Sequence, residues 1–279
     1  MSDSLSKLID AGPLGKTVTY QDQYSPELLV AIPRSLNRQR LALSSPLPFI
    51  GSDLWTGYEV SWLSPSGKPQ VALLRFHVDA ESRCIVESKS LKLYLNSFNQ
   101  TVFSDLETVQ TRMQEDLSRV VSGAVSLQLQ LLSSNVGMSW QSFEGFCLDE
   151  LDVSCQHYSV TPGLLAHRSE QVVQESAYTH LFKSNCLVTG QPDWASVVCH
   201  YKGQAIDFNS LLQYWVSFRQ HNEFHEMCVE RMFTDIMRQC QPEALCIQAC
   251  FTRRGGLDIS PWRATVGFEF EPVQHLVRQ

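Results

Sequence analysis

Residues Ser90–Gln100 read SLKLYLNSFNQ and residues Ser210–Gln220 read SLLQYWVSFRQ, so one stretch of this chain occurs twice. Six of the eleven aligned positions are identical, and the members of each identical pair are 120 residues apart. The same offset aligns Ala124–Gln128 with Ala244–Gln248, which extends the similarity over about forty residues. A shared register of this length predicts two copies of one structural unit.

The composition is typical of a globular protein with enough residues for two domains. The chain has 279 residues, of which 43% are hydrophobic and 18% are charged. The net charge is −7 and there is no long Lys/Arg cluster, so nucleic acid is not expected as the main partner. No apolar run approaches the ~20 residues that span a bilayer. Residues 1–16 lack the features of a signal peptide, and the nine cysteines suggest no disulfide framework, so we expect a reduced, cytoplasmic protein.

Hydrophobic periodicity predicts the same order of elements in both copies: strand, strand, helix, helix, strand, strand. In the first copy the predicted elements are Tyr58–Leu63, Val71–Val78, a helix from a Ser88 cap to about Phe98, the helix Ser104–Val121, Ala124–Leu132 and Trp140–Leu148, the last two forming a pair. In the second copy they are Val172–Phe182, Trp194–Tyr201, the helices Asp207–Gln220 and Phe224–Cys240, Ala244–Thr252 and Arg263–Phe270.

The predicted fold class is α+β, with two antiparallel sheets that are each backed by a helix pair. Residues 1–55 contain several prolines, including Gly12-Pro13, and are predicted to form an irregular arm with one edge strand near Leu28–Ile32. The first module is predicted at residues 56–148, a connector at 149–170 and the second module at 171–279.

Cys186 is the first candidate for chemistry, because it lies at a predicted strand end before a loop that contains Gly190 and Pro192. A thiol at such a place is a nucleophile, and Asp193 across the loop is an acid that can supply protons. The spacing alone is more typical of a packed cysteine beside an aspartate that caps a turn.

His225 and Glu226 begin a predicted helix, where an acid complements the helix dipole. The alternative function is recognition of a base, because a carboxylate accepts both adjacent N–H groups on the edge of a guanine-like ring. His221, His225 and Cys228 have helical spacing and offer three metal ligands, although zinc sites usually draw ligands from more than one element.

Two further segments are candidates for binding phosphate. Glu87-Ser88-Lys89 and Lys92 surround a helix start, which is either a capped, solvated helix or a carboxylate for substrate with cations for phosphate. Arg253–Gly256 reads RRGG, a turn that could also hold an anion. The chain contains no G-x-G-x-x-G, so a dinucleotide would bind without the Rossmann motif.

The two copies differ in these polar residues. Glu87-Ser88-Lys89 is opposite Asp207-Phe208-Asn209, and an alignment through Phe103 and Phe224 puts Ser104-Asp105 opposite His225-Glu226. Because each copy carries polar groups that the other has lost, we predict one composite site.

Four motifs, in order, resemble the long, two-module form of the 7-cyano-7-deazaguanine reductases. They are Glu87–Tyr94 (ESKSLKLY), Ser184–Trp194 (SNCLVTGQPDW), Val216–Glu226 (VSFRQHNEFHE) and Arg253–Arg263 (RRGGLDISPWR). The arm segments Tyr24–Leu29 and Pro33–Arg38 are also similar to that family, and no functional position departs from its pattern.

The resemblance implies a tunnelling fold and an NADPH-dependent reduction of a nitrile to an aminomethyl group in queuosine biosynthesis. Cys186 would form a covalent thioimide with 7-cyano-7-deazaguanine, and Asp193 would donate protons. The implied substrate-binding residues are Val86, Glu87, Ser88, His225 and Glu226, and the implied NADPH-binding residues are Ser88, Lys89, Arg254 and Gly255. The family needs no metal, and it suggests a homodimer.

Two other functions remain open on the residues alone. One is another tunnelling-fold enzyme, such as a zinc-dependent pterin-forming hydrolase, which would differ in needing metal. The other is a non-catalytic purine-binding module, in which Cys186 would be dispensable and no NADPH would be consumed.

Overall fold

The computed structural model describes residues 20–133 and 139–279, and the chain divides into two units. The first unit comprises the described residues of Met1–Ala42 and Ser52–Ser139, together with Arg253–Ile259. The second comprises Leu43–Gly51, Trp140–Thr252 and Ser260–Gln279. Residues 1–19 of the predicted arm, including Gly12-Pro13, lie outside the described residues.

The first unit is built on an antiparallel hairpin, two long helices and one short helix. Its elements are β1 (Ala31–Pro33), α1 (Ser35–Arg38), β2 (Ile50–Leu63), β3 (Pro69–Asp79), β4 (Cys84–Val86), α2 (Ser88–Asn96), α3 (Leu106–Val121) and β5 (Val125–Leu131). β3 pairs antiparallel with both β2 and β5, and the short strands β1 and β4 pair with each other. The turn at Ser64–Lys68 closes the β2–β3 hairpin, as the Pro-Ser-Gly sequence predicts.

The core of this unit lies between its sheet and its two helices. The apolar face of α2 is buried at Leu91, Tyr94 and Leu95, together with Phe98 just beyond the helix. The apolar face of α3 is buried at Val109, Met113, Leu117 and Val121. In β5 the residues alternate between buried and exposed, as expected for a strand with one face on the core.

The second unit repeats this arrangement with longer strands. Its elements are β6 (Phe146–Cys147), β7 (His167–Asn185), β8 (Pro192–Ile206), α4 (Phe208–Val216), α5 (His225–Cys240), β9 (Ala244–Phe251) and the part of β10 (Leu257–Ala264) that begins at Ser260. β8 pairs antiparallel with β7 and β9, and Trp262–Ala264 of β10 pairs with β9. α5 is buried along most of its length.

The identical residues of the repeat form the same hydrogen bonds in each unit. In the first unit, Tyr94 donates to Asp116 Oδ2 at 2.8 Å, joining α2 to α3, and Ser97 Oγ donates to the Tyr94 carbonyl at 2.6 Å. Ser90 and Ser97 also accept from the backbone N–H groups of Val30 and Ser25, which holds the incoming chain against α2.

In the second unit the same side chains take the same roles. Tyr214 donates to Asp235 Oδ2 at 2.8 Å, and Ser217 Oγ donates to the Tyr214 carbonyl at 2.6 Å. The backbone N–H of Thr161 donates to Ser217 Oγ at 3.2 Å. The repeated sequence is therefore explained by a repeated scaffold of buried hydrogen bonds.

The predicted α+β class, with two modules of antiparallel strands backed by helix pairs, is confirmed. The domain boundaries at residues 55, 148 and 170 stay predictions. None of the helices in the two described ranges is long and apolar enough to cross a membrane.

Two predicted strands are wrong. Trp140–Leu148 does not pair with β5; only Phe146-Cys147 forms a strand, and it pairs in parallel with Ala177-Tyr178 of β7. Gly145 permits this approach, because its φ is +120° and a Cβ there would collide with the Ser176 carbonyl.

The second error is the last strand, predicted at Arg263–Phe270 and found at Leu257–Ala264. Pro261 argues against a strand at this position in the sequence, because proline is disfavoured inside a sheet. The strand nevertheless forms, with Leu257 and Ile259 buried.

We expect the Tyr214→Phe variant to lower the free energy of unfolding by about 1–3 kcal/mol. The substitution removes the phenol hydrogen that the buried Asp235 carboxylate accepts, while the ring volume stays the same. Urea unfolding measures the change. The control is Tyr158→Phe, whose hydroxyl is exposed and which should shift the value by less than about 0.5 kcal/mol. Equal effects of the two variants would contradict the role given to Tyr214.

Candidate active site

Cys186 lies at the closed end of the β7–β8 hairpin. The last strand pair is Asn185 with Pro192, and Cys186 is the next residue along the chain. Its N–H donates to the Gln191 carbonyl at 2.8 Å, and its carbonyl accepts from the Gly190 N–H at 3.0 Å. Gly190 has a φ of +64°, which glycine adopts without strain. The loop thus holds Cys186 partly exposed at a strand end.

Asp193 lies beside this loop on β8 and is almost fully buried. Its Oδ2 is 3.4 Å from Nε2 of His225, the first residue of α5. The His225 ring stacks on Phe251 with a centroid separation of 3.9 Å and an interplanar angle of 19°. Phe251 therefore orients an imidazole toward the carboxylate, a contact that the sequence pattern does not reveal.

The start of α5 is tied to the hairpin by backbone hydrogen bonds. Asn185 N–H donates to the His221 carbonyl at 2.8 Å, and Glu223 N–H donates to the Asn185 carbonyl at 3.2 Å. The side-chain amide of Asn185 also donates to Asn222 Oδ1 at 3.1 Å. These bonds bring Cys186 and Asp193 to the first turn of α5, which carries His225 and the buried Glu226.

The predicted metal triad is not assembled as expected. Within the described residues, His221, Glu223 and Cys228 have their ligand atoms within 4.8 Å of one another, whereas His225 faces Asp193. Both oxygens of Glu223 accept from Arg231, at 2.8 and 2.9 Å.

The chemistry of this cluster disfavours a cation. Burial alone would raise the pKa of Glu223, but hydrogen bonds from Arg231 and His221 outweigh it and hold that pKa below its usual range. Burial also raises the pKa of the Cys228 thiol well above its usual range, which opposes the thiolate that a metal requires. The Arg231 guanidinium already neutralises the carboxylate, so the cluster is a buried ion pair.

In the first unit, Val86, Glu87, Ser88 and Lys89 follow one another at the junction of β4 and α2. The predicted cap Ser88 is wrong: Glu87 is the N-cap, and its two carboxylate oxygens accept from the N–H groups of Lys89 and Ser90, both at 2.8 Å. Glutamate was missed because shorter side chains are the usual caps. Burial raises the pKa of Glu87, and the two backbone hydrogen bonds partly offset that effect.

The Arg253–Gly256 segment of this unit forms a tight turn beside α2. Arg254 N–H donates to the Leu257 carbonyl at 2.8 Å, and Leu257 N–H donates back to the Arg254 carbonyl at 3.2 Å. Gly255 and Gly256 have φ values of +62° and +79°. A Cβ on Gly255 would lie 3.3 Å from Cδ of Lys92, so this lysine borders the turn directly.

These features fit a phosphate-bearing cofactor. Successive residues with positive φ present their N–H groups on one side, which forms a small anion-binding concavity. Throughout residues 20–133 and 139–279, neither the Gly255 N–H nor the Gly256 N–H donates a hydrogen bond. Lys92, next to the turn, supplies positive charge.

Tyr58, Arg253 and Asp258 support the turn. Arg253 belongs to the predicted anion-binding segment, whereas Tyr58 and Asp258 were not predicted from the sequence. The guanidinium carbon of Arg253 lies 3.5 Å from the Tyr58 ring centroid, and the Tyr58 hydroxyl donates a short hydrogen bond to Asp258. Burial raises the pKa of Asp258 to about 6, while Tyr58, Thr56 and Arg253 act in the opposite direction.

The structure corrects the alignment of the two copies. α3 and α5 each have 16 residues, with Asp116 and Asp235 at the same position, so His225-Glu226 corresponds to Leu106-Glu107. The alignment through Phe103 and Phe224, which made Ser104-Asp105 the counterpart, is wrong. The segment between α2 and α3 is one residue longer than the segment between α4 and α5.

The hairpin of the first unit is the counterpart of the Cys186 loop. Leu63 N–H donates to the Thr101 carbonyl and Phe103 N–H donates to the Leu63 carbonyl, as Asn185 does with His221 and Glu223. Ser64 therefore occupies the position of Cys186. Gln70, which follows Pro69, occupies the position of Asp193, which follows Pro192.

Comparison with known proteins first identifies a class, the nitrile reductases. Residues 20–129 match the family model described as "Nitrile reductase, 7-cyano-7-deazaguanine-reductase N-term", and residues 192–267 match the one described as "QueF-like protein". The second match includes Asp193 and the first turn of α5.

Curated relatives then define the family. The chain is 53% identical over 270 residues to the NADPH-dependent 7-cyano-7-deazaguanine reductase of Dechloromonas aromatica (strain RCB), covering 96% of this chain and 95% of the relative. It is 50% identical over 268 residues to the enzyme of that name from Azoarcus sp. (strain BH72), covering 95% of each. The chain belongs to the NADPH-dependent 7-cyano-7-deazaguanine reductase family. Its similarity to the apo crystal structure of the archaeosine synthase QueF-Like is weak, with a TM-score of 0.31 and 14% identity over 37% of this chain and all of that one.

Asp258 should make stability depend on pH. Its pKa is about 6 in the folded protein against an ordinary value of 3.8, so the folded state binds this proton more tightly than the unfolded state does. This contribution is therefore most favourable below pH 4 and is lost as pH rises through 6, a loss of up to about 3 kcal/mol.

Asp258→Asn removes the titrating group, so the stability of this variant should fall less than that of the wild type between pH 4 and 7. Urea unfolding at several pH values measures the difference. Asp152→Asn, a change at an exposed position, is the control and should follow the wild-type curve. Parallel curves for Asp258→Asn and wild type would refute the raised pKa.

Proposed function

We propose that this chain reduces the nitrile of 7-cyano-7-deazaguanine to the aminomethyl group of 7-aminomethyl-7-deazaguanine. In this proposal NADPH is the reductant, a covalent thioimide on Cys186 is the intermediate, and the product enters tRNA queuosine biosynthesis. The observation that carries the proposal is a partly exposed thiol at the hairpin end, together with a buried carboxylate on the adjacent strand of the same hairpin that contacts an imidazole.

Cys186 acts as the nucleophile. Its sulfur adds to the nitrile carbon, the π bond opens toward nitrogen, and nitrogen takes up the proton, so that thiol and nitrile together become the thioimide without loss of atoms. Asp193 donates the proton, and its short distance along the hairpin from Cys186 supports this role. The two reduction steps then need two hydrides and two further protons.

His225 supplies protons to Asp193. Its Nε2 is 3.4 Å from the carboxylate, and stacking on Phe251 restricts the ring to that orientation. A carboxylate that gives up a proton in each turnover must regain it, and a partly exposed imidazole connects it with solvent. Leu106, the counterpart of His225 in the first unit, has no such capacity.

Five residues are proposed to bind the deazaguanine ring, namely Val86, Glu87, Ser88, His225 and Glu226. Glu226, a buried acid in the first turn of α5, accepts from the two adjacent N–H groups on the ring edge. His225 also contacts the base. In the first unit, Val86, Glu87 and Ser88 are the substrate-binding residues; the cap bonds of Glu87 use one lone pair of each oxygen and leave others for the ring.

NADPH is held by Ser88, Lys89, Arg254 and Gly255, and when bound it supplies the two hydrides. The support is the pair of N–H groups at Gly255 and Gly256, with Lys92 at their border. A turn with positive φ at both glycines lets phosphate oxygens approach the backbone closely.

The remaining parts of the proposal concern the setting of the enzyme. A net charge of −7 argues against nucleic acid as a partner. The nine free cysteines are as expected for a protein of the reducing cytoplasm, where the proposal places the enzyme. The family further suggests a homodimer, and no metal takes part in the reaction.

Incubation with 7-cyano-7-deazaguanine alone should increase the mass of the protein by one substrate molecule, because addition of a thiol to a nitrile expels no leaving group. Intact-protein mass spectrometry detects the adduct. Cys186→Ala should give no adduct, whereas Cys155→Ala, at another partly exposed cysteine, should still give it. With NADPH present, wild type should consume two equivalents per nitrile. Absence of the wild-type adduct, under conditions where the substrate is shown to bind, would mean that Cys186 is not the nucleophile.

Asp193→Asn should slow adduct formation and turnover by about 10²–10⁴-fold, the usual contribution of a positioned acid. The amide retains the size of the side chain and one acceptor oxygen but cannot donate an acidic proton. Stopped-flow NADPH oxidation and timed mass spectra measure the two rates. Substrate affinity should change little, and a variant that reacts at the wild-type rate would remove Asp193 from the mechanism.

A further inference from the structure

Glu59 is held beside the Gly255–Gly256 turn by a bulge in β2. The register between β2 and β3 shifts between Gly57 and Val60, so Tyr58 and Glu59 together oppose a single residue of β3. Bulges of this kind redirect side chains and are common next to functional sites. Here the Tyr58 N–H donates to the Gly256 carbonyl at 3.0 Å, which fixes the bulge against the turn.

The Glu59 carboxylate lies close to the backbone of the turn. A Cβ built on Gly256 would be 2.5 Å from the carboxyl carbon of Glu59, so glycine is the residue that leaves room for this side chain. Oε2 of Glu59 is also 3.3 Å from Nζ of Lys92. A negative charge therefore already lies among groups suited to bind an anion.

The turn itself is supported independently of Glu59. Arg253 lies over the ring of Tyr58, and the hydroxyl of Tyr58 donates to the buried Asp258. The two hydrogen bonds between Arg254 and Leu257 close the turn. The Gly255 and Gly256 N–H groups thus stay in position when the Glu59 side chain moves.

We propose that Glu59 competes with the cofactor for Lys92. Its carboxylate pairs with Lys92 beside the Gly255–Gly256 turn and is displaced when a phosphate group of the dinucleotide binds. The inference rests on the proposed NADPH site and adds a residue that sets its affinity. Glu59 is 59% exposed and Lys92 is 37% exposed, so their pairing is weak and the exchange costs little. A phosphate brings more charge and more acceptor oxygens than the carboxylate it displaces.

Equilibrium binding without nitrile tests the proposal. Wild type, Glu59→Gln, Lys92→Met and the double variant are titrated with NADPH and with NADH at low ionic strength, following the fluorescence of the bound nicotinamide. Glu59→Gln should tighten NADPH binding about two- to fivefold, the range for an exposed ion pair. Lys92→Met should weaken binding, and Glu59→Gln should have no further effect in that background.

The matched control is Glu115→Gln, which removes the same charge from the exposed face of α3 and should leave the affinity unchanged. Tightening of both cofactors by the same factor identifies the shared pyrophosphate as the displacing group. Tightening of NADPH alone identifies the 2′-phosphate. Either result supports competition.

Three results would overturn the proposal. Glu59→Gln could bind NADPH more weakly than wild type, or bind it with the wild-type affinity, or still tighten NADPH binding in the Lys92→Met background. The first would mean that Glu59 binds a ribose hydroxyl, and the last would mean a general charge effect. If wild type oxidises NADPH in the presence of nitrile while Glu59→Gln shows no gain, this inference alone fails. If wild type neither binds nor oxidises NADPH, the proposed function fails and the competition fails with it.

Discussion

Each unit depends on a buried hydrogen bond between a phenol and a carboxylate. Tyr94 with Asp116, and Tyr214 with Asp235, join the two helices that back each sheet. Burial first, and the adjacent carboxylate second, raise the pKa of both tyrosines, so each keeps the proton that makes the bond. A buried carboxylate that loses a hydrogen-bond donor is costly, and this explains why the tyrosine is identical in the two copies. Sequence identity inside the repeat therefore marks a structural requirement.

The same constraint explains which features could be predicted from the sequence. Helical spacing of Leu91, Tyr94 and Phe98 located α2, and a fixed offset of 120 residues located α4, because both reflect burial that is local in sequence. The Cys186 loop was also predictable, since glycine and proline mark the turn that exposes it. The fold class follows from these patterns, whereas the family was indicated by the resemblance of four sequence motifs.

The features that could not be predicted depend on contacts distant in sequence. Glu87 is the N-cap of α2, but N-cap propensity favours serine, so the sequence predicts Ser88 as the cap instead. The stacking of His225 on Phe251 joins residues 26 positions apart along the chain, on a helix and a strand, and no periodicity encodes it. The bulge at Tyr58-Glu59 shifts the register of a strand whose composition looks regular. Pro261 argued against a strand at this position, but the strand forms and the residues around the proline are buried.

The β2–β3 and β7–β8 hairpins share one backbone scaffold, but only the second has a side chain that is proposed to react. Ser64 and Cys186 begin loops with the same pair of backbone hydrogen bonds, and Gly67 and Gly190 both adopt positive φ. The backbone thus has the same form at Ser64 and at Cys186, the proposed nucleophile. A serine hydroxyl without a base to activate it is a far weaker nucleophile than a thiol. Gln70, in the position of Asp193, has no acidic proton to donate. Because the backbone geometry is retained, the difference between the two hairpin ends lies in their side chains.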